Sequence, residues 1–576
     1  MKSLFLSNVV AALLLSLWST AARAESPQPN VVIFLSDDQG WGDLGVHGNR
    51  HLATPNIDSL ATDGAMFDRF YVCAVCAPTR AEFLTGRYHP RAGVVGVDAG
   101  RERLNLDEST IAQTFKSAGY ATAAFGKWHN GSQVPYHPNA RGFDEFYGFC
   151  SGHWGHYFSP MLDHNGEMVR GNGYIVDDFT DHAMAFMEKH RDKPFFVYLP
   201  YPTPHSPMQV PDEFFKKFEK TEFNNHTKAA YAMCENIDWN VGRILKKLDD
   251  LNLAENTIVI YFSDNGPNGN RWNGGMRGTK GSTDEGGVRV PFLIRWPARI
   301  KPGISIPQIA AGIDLLPTLS DAAGIKPVGD KPLDGISLWP LLEGTGEEWP
   351  DRMIYNYWNG SLSVRTQQYR LDRQGRLYDM VADPGQRNDI SGKYPEQTAA
   401  LKAAGDTWKR DVYSQRRNQG SRLPPVGGAP VTWLPADDGR TSGGIKRSSR
   451  WPNCSYFTNW TKPSDSITWS VDVLTAGEYE VELWYTCPAD AVGSTITLQS
   501  QSGTVSAKIT EPNDPPAIGA AEDRSPRDES FVKDFKPMNM GLLRLDAGTD
   551  KLILSASDIP GSSVGEVRYI RLTLKK

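Results

Sequence analysis

The stretch of sequence that decides the fold is Val31-Val32-Ile33-Phe34-Leu35-Ser36-Asp37-Asp38, where five apolar residues run directly into three polar ones. A continuous apolar run of this length is typical of a strand that is buried on both faces of a parallel sheet. A second stretch has the same form, because Thr257 to Phe262 runs into Ser263-Asp264-Asn265-Gly266. The two stretches predict polar side chains at the carboxyl ends of neighbouring strands, where sites form in open α/β sheets.

Strand and helix patterns alternate around these stretches, from Asn30 to about Leu342. Further strands are predicted at Phe195–Leu199 and Val290–Ile294, and helices at Pro55–Asp63, Thr110–Ala118, Asp178–His190 and Thr227–Leu251. Such alternation is typical of an α/β fold. We therefore expect a large, mainly parallel sheet sandwiched by helices.

The remaining sequence predicts two smaller parts. The large α/β domain spans residues 25–352, and shorter strands followed by a helix predict a small α+β C-terminal subdomain at 353–413. Residues 414–430 are rich in Gly, Pro, Arg and Asn, which is typical of a linker. Residues 431–576 carry recurrent strand patterns with turn signals and almost no helical periodicity, so we expect an additional all-β sandwich domain.

The first 24 residues have the pattern of a secretory signal peptide. A basic start at Lys2 is followed by an apolar run from Leu4 to Trp18 and by the cleavage pattern Ala22-Arg23-Ala24. A membrane anchor is the alternative, but the run is short and polar residues follow it. No later stretch approaches about 18 continuous apolar residues. We expect an exported chain, periplasmic or secreted, without a membrane anchor in its mature part.

The composition argues against two broad classes of protein. Hydrophobic residues make up 40% of the 576 residues and charged residues 22%, so the chain can form sizeable cores and is not disordered throughout. The 61 Lys and Arg residues against 67 Asp and Glu residues give a formal net charge of −6. Binding of nucleic acid or anionic lipid through bulk charge is therefore not expected.

Four oxygen-bearing side chains follow the two buried strands, namely Asp37, Asp38, Asp264 and Asn265. Hard oxygen ligands of this kind suit Ca²⁺ or Mg²⁺ better than a soft metal. Asp and Asn also follow strands because they form turns, and for either pair alone a turn is the simpler explanation. The repetition of the pattern at two strand ends favours a metal site.

The most informative segment is Cys76-Ala77-Pro78-Thr79-Arg80-Ala81-Glu82-Phe83-Leu84-Thr85-Gly86-Arg87. Pro78 suits the first turn of a helix, and Gly86 would end that helix. Cys76 would then lie at the helix N-terminus, where the helix dipole favours an anion, with Arg80 one turn later on the same face. A buried Cys beside a structural Arg is the alternative.

This segment resembles the signature C-x-P-x-R of the type I sulfatases, a formylglycine-dependent family of the alkaline-phosphatase-like superfamily. Thr79 replaces the commoner Ser, which the signature tolerates. Further motifs similar to the family's follow in the family's order: Gly126-Lys127-Trp128-His129, Pro204-His205-Ser206-Pro207, Gly278-Thr279-Lys280-Gly281 with Glu285 to Pro291, and Leu377-Tyr378-Asp379 with Asp383-Pro384. The resemblance covers about residues 30–390.

The resemblance implies an alkaline-phosphatase-like fold and a sulfuric ester hydrolase. A maturase would oxidise Cys76 to formylglycine, whose hydrate attacks sulfur with one hydroxyl and expels sulfate after the other loses a proton. One divalent cation, usually Ca²⁺ in this family, would be held by the oxygen side chains together with the residue at position 76. Those ligands would be Asp37, Asp38, Cys76 in its oxidised form, Asp264 and Asn265.

The resemblance also implies roles for five further residues. Lys127 and Lys280 would bind sulfate oxygens and stabilise charge in the transition state. Arg80 would orient the gem-diol. His129 would be the base for aldehyde regeneration, and His205 would be the acid that protonates the leaving oxygen.

Three more residues, Ser151, His153 and His156, are substrate-binding candidates, because they follow Gly142-Phe143-Asp144 in a region where the family often has a site residue. The expected substrate is a sulfate monoester on a sulfated carbohydrate. A phosphonate or phosphate ester hydrolase is the alternative, since sulfate and phosphate esters share size and charge. A catalytically inactive binding protein is a third hypothesis. It is disfavoured, because every expected catalytic position is filled.

The all-β domain lies outside the resemblance and holds Trp433, Trp451, Trp460, Trp469 and Trp484. The stretch from Leu474 to Tyr485 is similar to strands of carbohydrate-binding jelly rolls, whose exposed Trp faces stack on sugar rings. We expect Trp469 and Trp484 in the core and Trp451 and Trp460 at the surface. A carbohydrate-binding role and a purely structural role both stay open. Cys454 and Cys487 are candidate disulfide partners.

Overall fold

The computed structural model of the chain describes residues 28–346, 349–418 and 422–575. The predicted signal peptide at 1–24 lies outside the described residues. Among the helices of the described part, none combines the length and the apolar character that a membrane span requires.

The main sheet has ten strands, and its centre is parallel. In order across the sheet the strands are Ile304–Ile306, Ala65–Phe67, Phe292–Arg295, Thr257–Ser263, Asn30–Ser36, Phe195–Pro200, Ala121–Lys127, Glu145–Phe149, Met161–His164 and Glu167–Arg170. The five central strands from Thr257–Ser263 to Glu145–Phe149 run parallel, and antiparallel pairs flank them on both sides. The predicted α/β fold is confirmed, with a sheet that is mixed towards its edges.

Helices cover both faces of this sheet. Val32 and Phe34 of the central strand Asn30–Ser36 share one core with residues of the helices Ile175–Lys189 and Asn225–Asp250. The alternate residues Val31, Ile33 and Leu35 share a second core, as side chains of a strand point to opposite faces in turn. The helices of that second face are Cys76–Thr85, Ile111–Ser117 and Leu315–Ala323, and further helices are Pro55–Thr62, Asp212–Phe215, Glu285–Val288, Trp339–Glu343 and Pro395–Asp411.

The strand predicted at Val290–Ile294 is in fact two strands. Arg289–Val290 pairs with Phe70–Tyr71 in a three-stranded sheet that also contains Ala310–Ala311. Phe292–Arg295 instead pairs antiparallel with Thr257–Ser263 in the main sheet. Pro291 separates them because proline has no N–H to donate to a strand ladder.

The small α+β subdomain follows the main sheet. Its antiparallel sheet consists of Ile354–Trp358, Ser361–Arg365, Tyr369–Leu371 and Leu377–Asp379. Leu401 and Trp408 of the helix Pro395–Asp411 pack against this sheet. The stretch predicted as a linker, 414–430, overlaps the 3-10 helix Tyr413–Asn418 at its start. Near its end, Pro425–Val426 already belongs to the next sheet.

The C-terminal part is a β-sandwich with one buried core between two sheets. One sheet contains Pro425–Val426, Arg440–Ser442, Ser466–Val473, Gly548–Asp558, Thr495–Gln499 and Thr504–Lys508. The other contains Lys446–Arg447, Phe457–Thr458, Val431–Pro435, Glu566–Leu574, Gly477–Thr486 and Lys536–Leu545. The additional all-β sandwich is therefore confirmed.

Two tryptophans of the sandwich differ from expectation. Trp460 is buried, because its side chain packs in the sandwich core. Its backbone carbonyl also accepts a hydrogen bond from the Val564 N–H. Trp484 is only half-buried, because its neighbours Leu483 and Tyr485 point into the core and Trp484 lies on the opposite face of the strand. Trp469 is fully buried and Trp451 is exposed, both as expected.

The two candidate disulfide partners are free thiols. Cys454 Sγ lies 2.8 Å from the carbonyl oxygen of His153, in the α/β domain. Cys487 Sγ contacts the carbonyl of its neighbour Pro488 at 3.4 Å. These two candidates therefore do not form a disulfide, because each sulfur contacts a backbone carbonyl and not the other sulfur.

Candidate active site

The two polar strand ends meet at one edge of the main sheet. The strands Asn30–Ser36 and Thr257–Ser263 are adjacent and parallel, with Ser36 opposite Ser263, so the residues that follow them lie side by side. The Asp38 N–H donates to Asp264 Oδ1 at 3.2 Å, and Asn265 Nδ2 donates to Asp38 Oδ1 at 2.8 Å. All four predicted oxygen ligands are buried at this edge.

Cys76 lies next to this cluster of oxygen side chains. The helix Cys76–Thr85 begins at Cys76 and ends at Gly86, whose φ of 66° is a left-handed conformation that glycine adopts readily. Ligand atoms of Asp37, Cys76 and Asp264 lie within 4.8 Å of one another, and those of Asp37, Asp38 and His205 form a second such group. The predicted helix N-terminus therefore brings the Cys76 thiol to the carboxylates.

Three cations surround the carboxylates. Lys127 Nζ lies 2.6 Å from Asp37 Oδ2, and Lys280 Nζ lies 2.7 Å from Asp38 Oδ1. Arg80 Nη2 lies 2.8 Å from Asp264 Oδ2, and its Nη1 donates to the carbonyl of Lys127 at 2.7 Å. The resemblance implies that both lysines bind sulfate, and in the structure each forms an ion pair with a carboxylate of the cluster.

The charges in this cluster divide the carboxylates into two kinds. Burial opposes the ionisation of Asp37 and Asp38, but Lys127 and Lys280, with His205, outweigh it and lower the pKa of both groups. Burial raises the pKa of Asp264 well above its ordinary value, and the nearby charge of Asp37 adds to this effect. A cation bound beside Asp264 would favour the ionised form of this carboxylate.

The arrangement fits one divalent cation. Asp37 Oδ1 and Asn265 Oδ1 are buried, and neither has a hydrogen-bond partner among the residues that the structure describes. A buried polar atom without a partner costs about 1–3 kcal/mol. Carboxylate and amide oxygens are ligands of Ca²⁺ and Mg²⁺, so the side chains of Asp37, Asp38, Asp264 and Asn265 would hold such an ion.

His129 has a defined tautomer. Its Nε2 lies 2.8 Å from the carbonyl oxygen of Val97, which can only accept, so Nε2 carries the proton. Its Nδ1 is buried and unpartnered within the described part of the chain. Burial lowers the pKa of His129 well below its ordinary value, and the charge of Lys127 adds to this effect. A neutral ring with a free Nδ1 lone pair can accept a proton.

The remaining predicted residues separate into two groups. His205 Nδ1 lies 2.7 Å from the Ser206 carbonyl oxygen, and its Nε2 lies 3.7 Å from Asp38 Oδ2. The ring of His153 stacks on that of His205, with centroids 6.0 Å apart. Ser151 Oγ instead donates to Asn453 of the sandwich at 3.1 Å, and His156 packs near Gly519 of the sandwich. Of the three substrate-binding candidates, His153 alone stacks on a predicted catalytic residue.

Asn453 is a residue of this region that the sequence analysis missed. Its Oδ1 accepts hydrogen bonds from Ser151 Oγ and from the Gly152 N–H, the latter at 2.9 Å. A Cβ on Gly152 would lie 2.6 Å from His129 Nε2 and 2.7 Å from Asn453 Nδ2, so the three residues are in close contact. Asn453 lies in the all-β domain, in a loop without any catalytic motif, and no signal in the sequence connects it to this site.

Comparison with known proteins agrees with this geometry. Residues 29–325 match the family model described as Sulfatase. The chain belongs to the sulfatase family. Residues 280–405 of this sulfatase also match the model described as N-sulphoglucosamine sulphohydrolase, C-terminal, and this match includes the sheet of the small α+β subdomain.

Individual relatives indicate the activity of this sulfatase. It is 32% identical over 383 residues to the N-acetylgalactosamine-6-sulfatase of Mus musculus, covering 60% of this chain and 72% of the relative. It is 32% identical over 464 residues to arylsulfatase A of Homo sapiens, covering 68% and 89%. The crystal structure of Ps i-CgsB in complex with k-i-k-neocarrahexaose superposes with a TM-score of 0.63 at 30% identity, covering 67% of this chain and 93% of that chain. The chain is thus a sulfuric ester hydrolase.

Proposed function

We propose that this sulfatase is exported to the periplasm or secreted, where it hydrolyses sulfate monoesters on a sulfated carbohydrate. A maturase converts Cys76 to formylglycine, and one Ca²⁺ ion binds the adjacent carboxylates. The observation that carries the proposal is the position of Cys76 at the start of a helix, within 4.8 Å of Asp37 and Asp264. A carbohydrate as substrate is supported by a relative named N-acetylgalactosamine-6-sulfatase and by a similar structure in complex with k-i-k-neocarrahexaose.

The residues of the chain have separate tasks in this reaction. When present, the hydrated aldehyde supplies the nucleophilic hydroxyl and the cation supplies Lewis-acid charge. The carboxylates of Asp37 and Asp38 would be neutralised by a bound cation. The ammonium groups of Lys127 and Lys280 can then donate hydrogen bonds to the sulfate oxygens. Arg80 is held in place by Asp264 and by the Lys127 carbonyl.

Two histidines move protons. His129 accepts a proton at Nδ1, the ring nitrogen that its contact with Val97 leaves free. The Ser206 carbonyl accepts a hydrogen bond from His205 Nδ1–H, so His205 acts as the acid in its doubly protonated form and transfers the Nε2 proton, which lies on the side of Asp38, to the leaving oxygen. The two histidines thus act as base and acid in different half-reactions.

Cys76→Ala tests the proposal. We expect this variant to lose hydrolysis of 4-nitrophenyl sulfate while it keeps its circular-dichroism spectrum, because alanine cannot form the aldehyde. Cys73→Ala is the matched control, since Cys73 is also a buried thiol but belongs to a different cluster with Glu82 and His89. Mass spectrometry of the peptide that contains residue 76 should show an aldehyde in place of the thiol.

Two outcomes would contradict this proposal. Full activity of Cys76→Ala would refute the nucleophile. A higher kcat/KM of the wild-type chain for a phosphonate monoester than for any sulfate ester would favour the phosphonate or phosphate ester hydrolase in its place.

A further inference from the structure

A cavity of about 550 Å³ lies between the α/β domain and the β-sandwich. Its wall includes His129, the predicted base of the candidate active site, together with Gly152 beside it and Ser151. Trp433, Trp484 and Tyr569 of the sandwich also line it. The cavity therefore extends from the predicted base to the surface of a domain that lies outside the matched family models.

Aromatic rings form the sandwich side of this cavity. The ring centroids of Trp433 and Trp484 are 5.3 Å apart, and those of Trp433 and Tyr569 are 5.7 Å apart. All three side chains are half-buried, so part of each ring is accessible. Aromatic rings offer a large, rigid apolar surface with few rotatable bonds, and the apolar face of a sugar ring can pack on such a surface.

Four cations line the cavity, and one of them stands out. Arg170 pairs with Asp534 at 3.4 Å. Lys533 pairs with Glu566 at 2.9 Å, and Lys536 with Glu511 at 2.7 Å. Arg568 forms no ion pair with any carboxylate in the ranges 28–346, 349–418 and 422–575.

Arg568 is also the most enclosed of these cations, with 8% of its surface exposed. Its guanidinium lies over the rings of Tyr569 at 4.9 Å and Trp154 at 5.8 Å. Contacts of the guanidinium with aromatic rings, including Phe535 at 5.9 Å, stabilise a desolvated cation by about 2 kcal/mol or more, but a buried charge is stabilised further when an anion pairs with it. An anion that enters the cavity would provide that pairing.

The carboxylates of the cavity wall do not form an ion pair with Arg568 in the described part of the chain. Asp163 lies 3.1 Å from His137, and Asp438 lies 2.6 Å from Arg103. Burial raises the pKa of Glu102 and of Asp437, and neither carboxylate forms an ion pair with Arg568 within the described ranges. Among the lysines and arginines of the cavity wall, Arg568 is thus the one without a carboxylate partner in the part of the chain that the structure describes.

We propose that the β-sandwich builds a second substrate subsite, in which Arg568 binds an anionic substituent, sulfate or carboxylate, of the same oligosaccharide whose ester is cleaved. Trp433, Trp484 and Tyr569 pack against the sugar ring that carries this substituent. The inference rests on the proposed function, because one oligosaccharide has to reach both the active site and Arg568. The substrate class is therefore an oligosaccharide with at least two anionic groups, and not an isolated sulfated monosaccharide.

Binding to full-length Cys76→Ala tests the subsite without turnover. The probes are hexasaccharides from carrageenan, which carry sulfate only, and from chondroitin sulfate, which carry carboxylate and sulfate. We expect at least one of them to bind in calorimetry, and we expect Arg568→Gln in the same background to weaken that binding about tenfold. Arg544→Gln is the control, because Arg544 lies in the same sheet but outside the cavity wall.

Further measurements separate misfolding from loss of the subsite. Arg568→Lys keeps the positive charge and should retain most of the affinity, and circular dichroism checks the fold of each variant. Failure of all the hexasaccharides to bind Cys76→Ala, or equal affinity of Arg568→Gln, would overturn the subsite. Hydrolysis of 4-nitrophenyl sulfate by the wild-type chain tests the proposed function separately, so either proposal can fail while the other stands.

Discussion

At the scale of single residues, two unpartnered oxygen atoms indicate a metal site. Asp37 Oδ1 and Asn265 Oδ1 are buried without hydrogen-bond partners in the described part of the chain, although Asp37 Oδ2 and Asn265 Nδ2 both have partners. The partnered atoms fix each side chain in place, and the free oxygens are then available to a ligand that accepts electron pairs. A divalent cation such as Ca²⁺ meets this requirement, because carboxylate and amide oxygens are its preferred ligands.

Calcium should therefore stabilise the folded protein. An ion present at a hundredfold excess over its dissociation constant would add about 2.7 kcal/mol to the free energy of unfolding. We expect the thermal midpoint to rise when Ca²⁺ replaces EDTA, and we expect Asn265→Ala to lose most of this rise. Asn49→Ala is the control, because Asn49 is buried with both side-chain groups hydrogen-bonded outside the cluster. An equal rise in both variants would exclude Asn265 as a ligand.

Local motifs made most of the candidate site predictable. Asp37, Cys76, Lys127 and Lys280 each belong to a short motif, and strand ends of a parallel sheet meet at one edge whatever the loops do. Asn453 could not be predicted, because it contacts Ser151 from a position 302 residues away in another domain. Long-range contacts of this kind depend on how domains pack, which no local pattern encodes.

At the scale of elements, a carboxylate fixes the start of a helix. Asp238 on the helix Asn225–Asp250 accepts hydrogen bonds from the Ile57 N–H at 2.7 Å and from Asn56 Nδ2 at 2.8 Å, in the first turn of the helix Pro55–Thr62. Burial raises the pKa of Asp238 to about 7, and the hydrogen bonds with Ile57 and Asn56 only partly oppose this effect. Folding thus takes up a proton at this residue in mildly acidic solution.

The sign of the resulting pH dependence follows from linkage. Between the unfolded value of 3.8 and the folded value of about 7, the folded chain binds more protons than the unfolded chain, so stability falls as pH rises. Between pH 5 and pH 8 this residue should remove about 2.6 kcal/mol from the free energy of unfolding. Asp238→Asn should lack that loss in denaturant titrations, whereas Asp249→Asn, an exposed change on the same helix, should retain it. Identical pH profiles for wild type and Asp238→Asn would contradict the assignment.

At the scale of the whole molecule, the β-sandwich and the α/β domain share buried polar contacts. Arg103 and Asp438 form an ion pair at 2.6 Å, with side chains 3% and 5% exposed. Gln209 Nε2 donates to Gly519 and to Asp523, both at 2.9 Å. The sandwich is thus fixed against the loops beside the active site, which is the condition for a substrate cavity between the two domains.

Breaking the Arg103–Asp438 pair should loosen this interface. Arg103→Ala leaves the Asp438 carboxylate buried without its cation, which we expect to lower the free energy of unfolding by about 3 kcal/mol. The double variant Arg103→Ala/Asp438→Ala should lose less, because no charge then stays buried alone. Arg101→Ala is the control, since Arg101 is 56% exposed and pairs at the surface with Asp98, where such pairs contribute at most about 1 kcal/mol. Guanidinium titrations measure all three variants, and a double variant less stable than Arg103→Ala would show that packing, and not charge, joins the two domains.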